Sequence, residues 1–301
     1  MNLPKFLFVG TAKAGTTSIY QYLKQHADIE IPVKETFYFT REILKGNQLP
    51  YPLQRPLEDL FLETADYKNI YSDISNEKHV GEIGTGYLYH HRESIPEIKK
   101  TLGDDVSICI VLRNPVSRCY SSYLHFTKDL HETLSFEESL SEEQGRIEKG
   151  YDFMWHHYKM GLYASQVEAY LNHFKKVKVM FFEDLIKDPT TFMNELVEFI
   201  GVSPRDSWEL AKSHNPSGKP KNPALQKLIT HENPVKKALR PLFRLVFNKE
   251  KREKIRKGVK NRNLDKPKPI STEMKSFLSN QYREDIERLE SILGHSIEPW
   301  R

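Results

Sequence analysis

"FLFVGTAKAGTTSIYQYLKQH", residues 6–26, is the stretch on which the reading of the whole chain turns. A short apolar run ends at Gly10. A loop follows with Lys13 inside it and Gly15 at its end. Thr16, Thr17 and Ser18 then open a stretch of helical periodicity. Strand, glycine loop and helix together build an anion site. Backbone N–H groups and the positive end of the helix dipole face the C-terminal edge of the strand. The Walker loop of ATP- and GTP-binding proteins reads G-x-x-x-x-G-K-[ST]. Gly10 and Gly15 have its spacing, but Thr16 stands at its lysine position, and the loop's only lysine is Lys13. The loop therefore suits a phosphate but lacks the usual lysine for a β/γ-phosphate pair.

A second apolar run sharpens this. Metal-dependent nucleotide hydrolases commonly end a buried strand in an Asp that helps hold Mg²⁺. Here "VSICIVL", residues 106–112, ends in Arg113-Asn114-Pro115. A cation at that edge fits an anion. Both regions point to a nucleotide held without metal, its charge met by Lys, Arg and Ser.

Two further runs, "HVGEIG" at 79–84 and "KVKVMFF" at 176–182, read as buried strands, as does "KFLFVG" at 5–10. Helical patterns lie between them, at 15–26, at 158–174 and in "DPTTFMNELVEFIGV". The last has a starting Asp-Pro and a stop at Gly201. Alternation of strands and helices predicts a parallel α/β sheet with right-handed crossovers. Residues 34–78 read as a long insertion. After Pro204 the strand signals stop, and helices are expected at about 223–230, 234–247 and 271–293. The chain is read as one domain over 1–301, with an α/β core at 1–203 and a loop plus helical extension at 204–301.

Composition sets the outer bounds. Of 301 residues, 38% are hydrophobic and 29% charged, as in a globular chain. No apolar run reaches the roughly 18 residues of a membrane span, and Lys13 and Gly15 interrupt the first one too early for a signal peptide. Cys109 and Cys119 offer no disulfide framework or metal spacing. The expectation is a cytoplasmic protein. The net charge of +4 hides an asymmetry. Of 45 Lys/Arg and 41 Asp/Glu, 18 and 4 fall between Lys212 and Lys268, leaving a net acidic remainder. Such a basic block favours anionic partners.

With these motifs in view, the sequence resembles the sulfotransferases that use 3′-phosphoadenosine 5′-phosphosulfate (PAPS), carbohydrate-directed and bacterial members above all. "GTAKAGTTS" resembles their 5′-phosphosulfate loop and "VLRNPVSRCYSSY" their 3′-phosphate motif. "NPSGKPKNP" at 215–223 is similar to their late cofactor-closing loop, and "YREDIERLESILGHSIEPW" to the end of bacterial members. The resemblance implies a P-loop-like three-layer α/β/α sandwich with a central parallel sheet and a helical C-terminal extension. It implies PAPS as co-substrate, no metal, and an acceptor hydroxyl or amine, most simply a carbohydrate and in some members anionic, with no nucleic acid as partner. Lys13 would meet the leaving oxygen; Ala14, Gly15, Thr16, Thr17 and Ser18 would hold the 5′-phosphate. Arg113 and Ser121 would bind the 3′-phosphate, Ser217, Gly218 and Lys219 would close the loop, and Tyr163 would line the nucleotide pocket.

Two base assignments stand open. "PVKETFYF" at 32–39 resembles the segment in which a glutamate serves as base, which points to Glu35. Small-molecule members use a histidine, which points to His90 and His91. One position departs from the heparan sulfate type: Ile83 follows the glutamate of "GEIGTGYL", where relatives often carry lysine. Two other functions compete. A nucleotide kinase or NTPase would require Mg²⁺-dependent ATP binding; a non-catalytic polyanion binder would use the basic 212–268 region without turnover.

Overall fold

The computed structural model describes residues 2–46, 63–209, 218–230, 258–259 and 262–300. Five parallel strands form its sheet: β1 (Phe6–Gly10), β2 (Ile29–Glu30), β3 (His79–Ile83), β4 (Ser107–Leu112) and β5 (Val177–Phe181), in the order β2-β3-β1-β4-β5. Every residue of β1 and β4 is buried, so these strands show continuous apolar runs rather than alternation.

The two faces of β1 supply two cores. Phe6 and Phe8 pack with Cys109 and Val111 beneath α1 (Thr16–Leu23). Two later helices complete that layer, following β5 in the chain. Leu7 and Val9 pack on the opposite face with Ile108, Ile110 and Leu112. That face is covered by α2 (His91–Leu102), α4 (Ala164–His173) and α7 (Thr272–Leu293); α3 (Pro115–Lys128) lies beyond β4, and α5 (Phe182–Lys187) and α6 (Pro189–Phe199) are the two helices of the first layer. The result is the expected three-layer α/β/α sandwich with a C-terminal helix.

Local chemistry explains the helix ends. Asn114 caps α3 by accepting from the Ser117 N–H at 3.1 Å, with Pro115 in the first turn. Asp188 and Pro189 start α6 in the same way, and Gly201, at φ 85°, follows it. Ser271 caps α7. One start differs from expectation. Residues 159–161 form a 3₁₀ turn and α4 begins only at Ala164. The Asp285 carboxylate of α7 accepts from the Tyr163 and Ala164 N–H groups, so the helix start is set from another element. The strand signal was also incomplete. β2 has two residues, and β6 (Lys219–Pro220) pairs antiparallel with β7 (Leu264–Asp265). Such short pieces carry no periodicity. The expected helix at 234–247 lies outside the described residues.

The sheet order positions the site. β1 lies between β3 and β4, so the chain leaves β1 where connections diverge to either side. Loops at the C-terminal edge of such a switch point leave a crevice. Lys13 follows β1 and Arg113 follows β4, side by side across that crevice.

Candidate active site

The loop after β1 has the form its sequence implies. The Thr11 N–H donates to the Val111 carbonyl at 2.8 Å, which ties the loop's start to β4. Gly15 has φ 80°, and a Cβ there would meet the Phe182 ring at 2.8 Å. A left-handed backbone and close approach together require glycine. The N–H groups of Gly15, Thr16 and Thr17 have no acceptor among the described residues. Ala14 and Thr16 are buried; Thr17 and Ser18 are half-buried at the mouth of α1.

Lys13 has φ 73° and is half-buried. Arg113 reaches across the crevice and donates from Nη1 to the Lys13 carbonyl at 3.0 Å, its guanidinium lying 4.8 Å from the Phe182 ring centroid. Burial, followed by the charges of Lys128, Arg113, Arg118 and Lys34, pushes the Lys13 ammonium down to about 8. Burial likewise lowers the Arg113 pKa. Four other cations thus act on the lysine of this loop. This donor set, with unpaired backbone N–H groups, fits a phosphosulfate.

Glu35 stands at the edge of the cation group. Lys34 Nζ donates to its Oε1 at 2.5 Å, and Lys34 is itself one of the charges acting on Lys13. Phe37, two residues on, packs in one cluster with Ala12 of the loop. His90 precedes α2, its ring edge-on to Tyr89 and Phe153 at 5.0 and 5.2 Å. Burial, then His156 and His91, pushes His90 down to about 4. Burial also lowers His91, whose Nδ1 has no partner among the described residues.

Ser121 is half-buried on α3, two helical turns after the Asn114 cap. Tyr163 is fully buried, with its hydroxyl donating to the Arg113 carbonyl at 2.9 Å. It thus stands behind Arg113, bonded to that residue's backbone. Gly218 is buried, and a Cβ there would lie 2.2 Å from the Asp265 carbonyl oxygen. Lys219 is exposed on β6, which packs against α3. Ser217 lies outside the described residues. Ile83 is fully buried in the core beside Phe8, which accounts for the departure at this position as packing.

Sequence reasoning missed three groups. Arg118 is fully buried in α3, donating to the His157 carbonyl oxygen and the Met160 sulfur. An arginine between Val116 and Cys119 on an apolar helix face was the available signal. Lys128 is buried at the end of the same helix. Glu183 accepts from the Asn114 N–H at 2.9 Å and from Trp300 Nε1 at 3.2 Å, which holds the turn carrying Arg113.

Comparison with known proteins gives this arrangement its relatives. Heparan sulfate glucosamine 3-O-sulfotransferase 3A1 of Mus musculus is 27% identical over 66% of this chain and 46% of its own length. Bifunctional heparan sulfate N-deacetylase/N-sulfotransferase 4 of Mus musculus is 25% identical over 99% of this chain and 31% of its own. The chain thus spans less than half the length of these curated relatives. A crystal structure of a sulfotransferase from Alicyclobacillus acidocaldarius is 27% identical, with a TM-score of 0.72 over 100% of both chains. The sulfotransferase domain family itself matches residues 3–289, from the strand that leads into the Lys13 loop to the helix that braces Tyr163, and the chain belongs to that family.

Proposed function

We propose that this protein transfers a sulfuryl group from PAPS to a hydroxyl or amine of a carbohydrate acceptor of the heparan type. The observation that carries this is the pairing across the crevice. The Arg113 guanidinium is bonded to the carbonyl of Lys13, in a loop whose Gly15, Thr16 and Thr17 N–H groups have no acceptor among the described residues. When bound, PAPS supplies an activated sulfuryl group with adenosine 3′,5′-bisphosphate (PAP) as its leaving group.

The chain's own residues do the rest. Gly15, Thr16, Thr17 and Ser18 bind the 5′-phosphate through N–H and hydroxyl donors, with Ala14 keeping the loop against the core. Lys13 stabilises negative charge as it builds on the leaving oxygen, the kind of contact that acts mainly in the transition state. Arg113 and Ser121 recognise the 3′-phosphate, and Gly218 and Lys219 add donors. Glu35 removes the acceptor's proton. His90 is disfavoured for this step, because a ring pushed down to about 4 is a weak base near neutral pH. Lys34 holds Glu35 and contributes positive charge toward an acidic acceptor.

Two measurements test the reading. Calorimetry should give tight binding of PAP without metal and weak binding of ATP with Mg²⁺. The reverse preference would make the protein a kinase or NTPase. Radiolabelled PAPS should label either N-sulfated heparosan, which offers hydroxyls, or its de-N-sulfated form, which offers amines. PAP binding without transfer to either would remove the heparan-type acceptor from the proposal.

A further inference from the structure

Glu82 is a carboxylate in the core of β3 with no exposed surface. Four hydroxyls surround it. Its Oε1 accepts from Thr36 Oγ1 at 2.5 Å and from Tyr87 at 2.6 Å. Its Oε2 accepts from Tyr67 at 2.8 Å and Tyr71 at 3.0 Å. Burial holds its pKa above the ordinary carboxylate value, and the hydroxyls oppose that shift. Val80, the neighbour on the same face, sits in an apolar cluster with all three tyrosines. Apolar groups of the same shape in place of Glu82 and its donors together would serve such a core at little loss, so packing alone does not call for the carboxylate. A buried, fully bonded carboxylate instead fixes the directions of its donors.

One of those donors belongs to the segment bearing the candidate base. Thr36 is fully buried and immediately follows Glu35. Its Oγ1 also accepts from the Tyr38 N–H at 3.2 Å and meets the Tyr87 hydroxyl at 3.1 Å. The backbone then turns through Phe37 at φ 58°. Residues 34–37 are therefore anchored to the sheet through the Thr36 hydroxyl, with Lys34 and Glu35 at the half-buried end of the anchored segment.

We propose that Glu82 is a positioning residue for catalysis: through the Thr36 hydroxyl it sets the backbone of residues 34–37 and so aims the Glu35 carboxylate at the acceptor. This rests on the reading of Glu35 as the general base. A small misplacement of a reacting group lowers rate by up to about 100-fold without any loss of binding, and that gap between turnover and binding is the signature to measure.

The full chain is assayed with radiolabelled PAPS and the heparosan derivative that accepts sulfate, and PAP affinity is measured by calorimetry. Thr36→Val should lower kcat by about 10- to 100-fold while the PAP Kd stays within about twofold. Thr36→Ser keeps the hydroxyl and should restore kcat to within about threefold of the parent. In a Glu35→Gln background, Thr36→Val should have no further effect, because the group it positions is gone. Glu82→Gln should repeat the Thr36→Val result. If Thr36→Val retains near-parent kcat while Glu35→Gln is inactive, the base reading stands and the positioning proposal falls. Independent, multiplicative losses in the double variant also overturn it. So does a loss of PAP affinity alongside kcat in both Thr36→Val and Glu82→Gln, which would make the cluster a support of the whole fold. Full turnover by Glu35→Gln removes the base, and the proposal with it.

Discussion

Lys13 shows what a single residue gains from its place. An ordinary lysine titrates at 10.5, and burial together with Lys128, Arg113, Arg118 and Lys34 brings this one to about 8. The sign of the pH effect follows. A lowered lysine is charged only below its folded value, so the free protein loses this cation as pH rises through about 8. The kcat/KM for PAPS should therefore fall above pH about 8, with the slope of one proton. The limb in kcat should lie higher, because an adjoining phosphosulfate favours the charged form. Lys13→Arg should abolish the limb by keeping the charge throughout. Lys13→Ala should lower single-turnover rates by about 10²- to 10³-fold while PAP still binds. Rates near the parent's would take Lys13 out of the reaction. The lysine itself was legible at once from the glycine spacing. Its depressed pKa was not, because four of the responsible groups come from other segments of the chain.

At the scale of elements, α3 is the working helix. Its start was legible: Asn114 and Pro115 form a cap signal, and the structure uses both. Arg113 lies before the cap and Ser121 lies two turns beyond it. If both meet the 3′-phosphate, alanine at either position should bring the affinities for PAP and for AMP together. The expected loss for Arg113→Ala is about 1.5–3 kcal/mol, seen for PAP alone. Equal weakening of both nucleotides in calorimetry would move the 3′ site elsewhere. Arg118 on the same helix was harder to read. An arginine in a mixed helix normally marks the solvent face, yet here it is fully buried against His157 and Met160. α4 illustrates the opposite difficulty. Its pattern began at 158, but Asp285 from α7 decides that the helix starts at Ala164.

Across the whole molecule, residues far apart in sequence hold the C-terminal edge of the sheet together. Trp300 donates to Glu183, which accepts from the Asn114 N–H. The Trp300 ring lies 5.8 Å from Tyr163 and 5.4 Å from Phe181, and Tyr163 bonds the Arg113 carbonyl. Trp300 is in this sense part of the foundation of the Arg113 turn. Trp300→Ala should weaken PAP binding by about tenfold, the equivalent of one hydrogen bond to a charged group. Trp300→Phe, which keeps a ring but loses the N–H, should fall between the two. Unchanged PAP affinity in Trp300→Ala would confine this network to stability.

The sequence alone determined the parallel sheet, the phosphate-type loop and the cation at the end of β4. Each is a local signal: a continuous apolar run, a glycine that must adopt positive φ, a cap, a charge beside a strand. Four of the five main strands were readable as short apolar-rich runs: β1 and β4 are buried throughout, while β3 and β5 keep their apolar majority around Glu82 and Lys178. The fifth, β2, has two residues and is recognisable only by its pairing with β3. Only the tertiary structure decided which charges are buried. Glu82 reads in sequence as an ordinary glutamate, and becomes a core residue because Thr36, Tyr67, Tyr71 and Tyr87 converge on it from outside its strand. Tyr163 reads as a possible pocket residue, and its bond to the Arg113 backbone is likewise visible only in the fold. Burial and bonding are properties of segments brought together by the fold, and no spacing along the chain encodes them.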